Sequence, residues 1–362
     1  MKILYCITGL GVGGAERIVV ETADKMFDLG YNIKIVCLSG EVKVTPKRDI
    51  EIINLGLNKV NFFNILKKFI KIIHDFKPNI LHAHMFHAII LSRISKIFFK
   101  DIKVISHAHN TKYGNSLRSF LYKRTELFTD ININVSDIST KHFIENKVFN
   151  PTKTITLANG IDTNKFYPNE KIRIEMRKKF TLADDVLVFI TIGSFTPQKD
   201  HKNLLFAYKK FIESNLTSSK LIIVGDGELR GNIETLIVDL GLQDFVILLG
   251  LRKDINELLN MADIFVLSSA WEGLPLVIAE AMSAEKLIIS TNCGGVSQLL
   301  NSEDFLVPIQ DFNMLAEKMV TVAKISSIDK ISIGTSNREI IIQKFSLENM
   351  INNLLSIYKK LF

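Results

Sequence analysis

Two carboxylates bracket a helix start in the stretch Trp271-Glu272-Gly273-Leu274-Pro275-Leu276-Val277-Ile278-Ala279-Glu280-Ala281-Met282. A strand-like run, Asp263 to Ser268, precedes it, so the order reads strand, short loop, helix. Pro275 suits the first helical position, because its ring presets φ and its missing N–H would be unpaired there anyway. The amides of Leu276 and Val277 then have no intrahelical acceptor and point out of the helix end, which carries partial positive charge and receives phosphate. Glu272 in the loop and Glu280 inside the helix can take sugar hydroxyls. Together these groups suggest a nucleotide-sugar site. The pair of acids alone would suit a plain solvated helix equally well.

The spacing and its context, Glu-Gly-Leu-Pro-Leu-Val…Glu-Ala-Met, resemble the signature of retaining glycosyltransferases of the GT-B group, and especially of its family four. That family is α/β, with two facing Rossmann-like doubly wound domains. The resemblance implies that Glu272 contacts the donor hexose and Glu280 the nucleotide ribose. It also implies that the backbone through Gly273, Leu274, Leu276 and Val277 holds the diphosphate.

Other segments fall into the same pattern. Gly193-Ser194-Phe195-Thr196-Pro197-Gln198-Lys199 resembles the family's Gly-Arg-x4-Lys element, which implies that Gly193 and Lys199 serve the leaving diphosphate. Ser194 stands where that element has Arg, so Lys202, Arg252 or a shift of the glycine loop would have to supply the missing charge. Gly250-Leu251-Arg252 falls where the family holds the base by backbone contacts. Ala284-Glu285-Lys286-Leu287 replaces the family's Ala-x-Gly-x-Pro and predicts a different turn. Asn292-Cys293-Gly294-Gly295 returns to pattern as a tight turn close to the sugar.

In the first half, Gly9, Gly11 and Gly14 satisfy the dinucleotide fingerprint literally, with Glu41 as a loose candidate for its acid. A nicotinamide- or flavin-binding oxidoreductase is therefore a rival reading. The portion Gly13-Gly14-Ala15-Glu16 also matches the family's glycine loop, which implies donor phosphate at Gly13 and Gly14 and an acceptor side at Glu16 and Arg17. Histidines cluster at His82-Ala83-His84 and His107-Ala108-His109-Asn110. A strand sends alternate side chains to opposite faces, and no Cys or acid completes a first shell, so no metal is expected here. The end of the strand Lys103–Ser106 is where open α/β sheets present ligand contacts. By resemblance His109 reaches the donor hexose and the reaction centre, with His107 the near alternative and Asn110 beside it.

The elements that must position these groups alternate. Strand-like runs at 2–7, 32–38, 50–53, 80–83, 103–106, 131–135 and 154–157 are separated by helical patterns, which argues for a parallel doubly wound sheet. The helix Asn61–His74 places Phe62, Ile65, Leu66, Phe69 and Ile73 on one face. Asn159-Gly160 marks a turn needing positive φ. The expected domains are 1–165 on the acceptor side and 166–344 for the nucleotide sugar, with a helix at 345–362 crossing back to the first.

The net charge of +7 is uneven: residues 1–150 carry 22 basic against 13 acidic side chains, a local +9. Between Lys59 and Arg124 stand 13 basic residues and only Asp75 and Asp101 as acids. Lys67, Lys68, Lys71, Arg93, Lys96, Lys100, Lys103, Arg118, Lys123 and Arg124 point to an anionic membrane surface. No nucleic-acid motif is present, so no nucleic acid is expected. Cys6, Cys37 and Cys293 show no pairing framework, the N-terminus reads as a strand, and no apolar run approaches a membrane span. A cytoplasmic protein, peripheral on the inner face of the plasma membrane, is the expectation.

The resemblance implies transfer of a hexose-type sugar from a nucleotide diphosphate donor, UDP-sugar by preference, to an acceptor hydroxyl with retained configuration. A lipid-linked glycan in surface polysaccharide synthesis is the implied acceptor. No cofactor is implied, and the chain has no Asp-x-Asp to hold a bridging metal. A nucleotide-sugar epimerase or hydrolase of the same architecture is the alternative.

Overall fold

In a computed structural model the described residues are 1–11, 13–58, 61–109, 114–214, 216–300 and 302–362. They divide into two compact units: unit 1 is Met1–Gly160 with Glu348–Phe362, and unit 2 is Ile161–Leu347.

Unit 1 is built on seven parallel strands among the described residues: β1 (Lys2–Ile7), β2 (Asn32–Cys37), β3 (Glu51–Asn54), β4 (Ile80–His84), β5 (Lys103–Ala108), β6 (Ile131–Asn134) and β7 (Thr154–Thr156). Their order in the sheet is β3-β2-β1-β4-β5-β6-β7. Unit 2 has six: β8 (Leu187–Ile192), β9 (Ser219–Val224), β10 (Val246–Gly250), β11 (Ile264–Leu267), β12 (Leu287–Thr291) and β13 (Leu306–Val307), ordered β10-β9-β8-β11-β12-β13 and again parallel.

Strands buried on both faces carry near-continuous apolar runs, as in Ile3–Ile7 and Ile264–Leu267. In each sheet the order reverses next to the first strand, between β1 and β4 and between β8 and β11. A right-handed crossover carries helices to opposite faces on either side of such a point, leaving a crevice at the strands' carboxyl ends. Lys199, Glu272 and Gly13 sit on loops that follow strands at these two reversals.

Several local expectations change. In the helix Phe62–Phe76, Ile65, Phe69, Ile73 and Phe76 are buried, whereas Phe62 is exposed and Leu66 only partly covered. The apolar stripe thus runs one turn further along the helix than the sequence pattern predicts. Neither Asn159 nor Gly160 takes a positive φ. Beyond them Ile161 pairs with the stretch at Ser346: Ile161 N–H donates to the Phe345 carbonyl and Leu347 N–H to that of Ile161, both at 2.8 Å. Glu285 adopts the left-handed conformation (φ 58°) that a glycine reaches more easily. The last helix, Leu347–Lys359, contributes Met350, Leu354 and Tyr358 to the core of unit 1.

Candidate functional site

The groups of unit 2 meet where three neighbouring strands end. The loop after β8 carries Lys199, the loop after β11 carries Glu272, and the turn after β12 carries Gly294. Lys199 Nζ lies 2.5 Å from Glu272 Oε1, with the lysine side chain 15% and the glutamate 7% exposed. Ser269 Oγ donates to the same Oε1 at 2.7 Å, and Gln198 Nε2 donates to Oε2 at 3.1 Å. Each carboxylate oxygen thereby has a donor, which is what a buried charge requires.

Backbone contacts fix this arrangement. Ser268 Oγ donates to the Lys199 carbonyl at 2.9 Å, and Ala270 N–H to that of Gln198 at 2.8 Å, so the two loops are tied together. Gly294 (φ 54°) approaches so closely that a Cβ there would stand 2.1 Å from the Glu272 carbonyl oxygen. Gly295 N–H donates to the Gly273 carbonyl at 2.7 Å. A Cβ on Gly225 would likewise meet the Gly193 carbonyl at 1.9 Å. These two glycines let the loops after β8 and β11 lie against their neighbours.

The helix after Glu272 runs from Leu276 to Ser283, with Pro275 as its cap (φ −74°, ψ 102°). Pro275 therefore stands one residue earlier than the first helical position, and Leu276 and Val277 supply the first two helical amides. Glu280 lies inside this helix and is buried. Arg252, one candidate for the charge absent at Ser194, has its guanidinium paired with Asp254, with Nε to Oδ1 at 2.8 Å. Lys202 lies over the ring of Phe206. His201, packed edge-on against Phe195, has its pKa pushed down to about 4, mainly by burial, with Lys199 adding to the effect.

In unit 1 the histidines gather, contrary to expectation. Residues two apart share a face of a strand, so His82 and His84 on β4 and His107 on β5 point the same way, and His109 follows just past β5. His82 Nε2 lies 3.3 Å from His107 Nδ1, and His84 Nδ1 lies 2.9 Å from His109 Nε2. Tyr358 Oη, from the last helix, lies 2.7 Å from His82 Nδ1 and 3.2 Å from Tyr5 Oη. Burial holds the imidazoles of His82, His84 and His107 well below the ordinary range, helped by their neighbours, and that of His109 at about 4.

Gly13 caps the helix Gly14–Asp28 at the end of the loop after β1, and the Glu16 side chain folds back over it. Burial raises the Glu16 carboxyl above the usual range. Arg17 Nε lies 3.7 Å from Glu21 Oε1. Asn110 lies outside the described residues. Glu41, the acid a dinucleotide site would need, is exposed and pairs with Lys43 at 3.4 Å.

Of the basic residues assigned to a membrane face, Arg93 is a correction. It is fully buried, its Nη2 2.9 Å from Glu126 Oε2 and 2.6 Å from Asn132 Oδ1, and its Nε 2.8 Å from Ser106 Oγ. Lys96 is bound to Asp130. Lys67, Lys68, Lys71, Lys100, Arg118, Lys123 and Arg124 are exposed. No helix among the described residues is long and apolar enough to cross a membrane.

Gln198, Ser269, Tyr5 and Tyr358 were not legible as site residues. Each is an ordinary polar or aromatic residue, brought in by contacts between strand-end loops or, for Tyr358, by the packing of the last helix.

Two family models cover most of the chain: Glycosyltransferase Family 4 matches residues 12–165 and Glycosyl transferases group 1 matches 172–330. The chain is 27% identical to the UDP-Gal:alpha-D-GlcNAc-diphosphoundecaprenol alpha-1,3-galactosyltransferase of Escherichia coli, over 96% of this chain and 94% of that protein. It is 34% identical to the glycosyltransferase MJ1059 of Methanocaldococcus jannaschii, over 74% of this chain and 71% of that one. Among solved structures, Anabaena HepE in complex with UDP and glucose shares the fold with a TM-score of 0.87 at 20% identity, covering 99% of this chain and 100% of that one. With its two parallel-sheet Rossmann-like units, the chain belongs to the GT-B glycosyltransferases of family four, the glycosyl transferases group 1.

Proposed function

We propose that this glycosyltransferase moves a hexose-type sugar from a UDP-sugar to a hydroxyl of a lipid-linked glycan, with the anomeric configuration retained, in surface polysaccharide synthesis. The observation that carries this reading is the partly buried Lys199–Glu272 pair at the β8/β11 reversal, beside the start of the helix Leu276–Ser283. The E. coli relative, whose name gives UDP-Gal as donor and a diphosphoundecaprenol-linked sugar as acceptor, supports the donor and acceptor classes.

The reaction breaks the bond between the anomeric carbon and the diphosphate oxygen and forms one to the acceptor oxygen. The barrier is departure of an anionic diphosphate from an oxocarbenium-like centre. Lys199 and the amides of Leu276 and Val277 stabilise that charge as it develops. The departing phosphate oxygen takes the acceptor's proton, so no separate base is assigned. Glu272 grips the sugar hydroxyls, Glu280 the ribose, and Gly193, Gly250, Gly273 and Leu274 serve the nucleotide by backbone. In unit 1, Gly13, Gly14 and His109 are assigned to the donor, and Glu16, Arg17 and His107 to the acceptor. The proposed chemistry uses no metal bridging the diphosphate.

Attachment to the inner face of the plasma membrane is part of the proposal. The helix Phe62–Phe76 exposes Phe63 beside Lys67, Lys68 and Lys71, and the helix Ser116–Thr125 exposes Leu117 and Phe120 beside Arg118, Lys123 and Arg124. Apolar side chains among basic ones suit an anionic bilayer.

Thermal stabilisation by UDP and UDP-sugars, but not by NAD, tests the donor. Donor consumption that requires an added lipid-linked acceptor then separates a transferase from an epimerase or hydrolase. Stabilisation by NAD alone, or acceptor-independent turnover as the main activity, overturns the reading.

A further inference from the structure

The four imidazoles of unit 1 form a two-by-two block. His82 and His107 meet edge to edge with ring planes 12° apart, as do His84 and His109 at 27°. Across the pairs, His82 stacks on His84 with centroids 4.2 Å apart, and His107 on His109 at 4.4 Å. His82, His84 and His107 are each no more than 3% exposed. Nε2 of His84, Nε2 of His107 and Nδ1 of His109 are buried with no hydrogen-bond partner among the described residues. An unsatisfied buried polar atom costs about 1–3 kcal/mol, so packing alone is a poor reason to collect these rings.

We propose that His82, His84 and His107 bind a divalent transition-metal ion of the zinc, nickel or copper class, with His109 the fourth ring at its side. One nitrogen from each of the three lies within 4.8 Å of the others. A tetrahedral ion with bonds of about 2.0–2.1 Å holds its nitrogens about 3.4 Å apart, so closure needs ring movements of about 1 Å. Three neutral imidazoles with an open position are a sufficient ligand set, without cysteine or carboxylate. Burial already keeps these rings in the neutral form that binds metal.

A second observation points the same way. A metal-bound histidine characteristically gives its other ring nitrogen to an outer hydrogen bond that fixes the tautomer. His82 has that partner: Nδ1 meets Tyr358 Oη at 2.7 Å, and Tyr358 is itself held by Tyr5, leaving Nε2 for the ion. All the ligands belong to unit 1, whereas Lys199, Leu276 and Val277 belong to unit 2. His107 and His109 are shared with the proposed acceptor and donor roles, so ion binding is read without either substrate, where it stands or falls apart from Lys199, Leu276 and Val277.

The test uses the full chain, free of any histidine tag and stripped with chelator, titrated with Zn2+ and with Co2+ in the absence of donor. One ion per chain, a raised unfolding temperature and a cobalt visible spectrum of histidine ligation are expected. His82→Phe keeps a stacking ring and should weaken binding at least 100-fold. Tyr358→Phe, which removes the outer hydrogen bond to His82 together with the contact to Tyr5 Oη, should weaken it about 10- to 100-fold and shift the cobalt spectrum. Exchanging the exposed His74 for Asn should change nothing. Absence of stoichiometric binding to the unaltered chain, or equal affinity in Tyr358→Phe, or loss of the ion in His74→Asn, overturns the site.

Discussion

Lys199 Nζ and Glu272 Oε1 stand 2.5 Å apart, so the cation assigned to the leaving diphosphate and the carboxylate assigned to the sugar hold each other. Donor binding must share or break this pair. Glu272→Gln releases the lysine and should strengthen binding of UDP several-fold while lowering sugar transfer at least 100-fold. Lys199→Ala should weaken UDP binding about 10- to 100-fold, the size of a charge-assisted hydrogen bond of about 1.5–3 kcal/mol, and leave uridine binding unchanged. Calorimetric titration reads both. Equal losses for UDP and uridine would remove the lysine from its assigned role.

Two glycines should respond oppositely to alanine. Gly294 combines φ 54° with a Cβ position 2.1 Å from the Glu272 carbonyl, so Gly294→Ala should cost at least about 1–3 kcal/mol and lower turnover through Glu272. Gly231, in the helix Arg230–Asp239, has nothing within 4 Å of its Cβ position. Gly231→Ala should gain about 0.5–1 kcal/mol. Urea midpoints of the two variants decide it, and a neutral Gly294→Ala would contradict the close approach.

His201 makes unit 2 sensitive to acid. Its folded pKa of about 4 lies below the unfolded value near 6.5, so between these values the unfolded chain binds a proton that the folded chain refuses. The associated stability is fully present above about pH 6.5 and is lost as pH falls towards 4, amounting to about 2 kcal/mol by pH 5. Unfolding free energies of His201→Leu should therefore fall less between pH 7.5 and pH 5 than those of the unaltered chain. Parallel slopes would show that this ring does not contribute.

The basic residues of unit 1 should divide by burial. Exchanging Lys67, Lys68 and Lys71 for Gln should remove about 1 kcal/mol each from binding to anionic vesicles, most visibly at low salt. Arg93→Ala should instead destabilise the fold by about 3–5 kcal/mol, because Glu126 and Asn132 lose their buried partner. Vesicle co-sedimentation and urea unfolding read the two effects. Unchanged sedimentation of the triple variant would reduce that helix face to ordinary solvation.

The parallel sheets were legible because strands buried on both faces cannot hide their apolar runs, and the loops at 193–199 and 272–280 because glycine, proline and acid occur there in a fixed order. What stayed hidden depends on partners far away in sequence. Arg93 reads as one more surface cation until Glu126 and Asn132 come into contact with it. The histidine block needs the register of β4 against β5, with His84 opposite His107, which no single-strand periodicity contains. Phe62 falls on the apolar spacing of its helix yet is exposed, which spacing alone does not tell.

The placement of Tyr358 has a consequence for how the molecule comes into being. Unit 2 is one unbroken stretch of chain, whereas the core of unit 1 is completed by a helix made only after that stretch. During translation β1 and β4 must wait, with Tyr5 and His82 uncovered, while nearly two hundred further residues (161–347) emerge and Ile161 closes against Ser346. The half synthesised first is therefore the half finished last, and its open flank is what a ribosome-associated chaperone would meet.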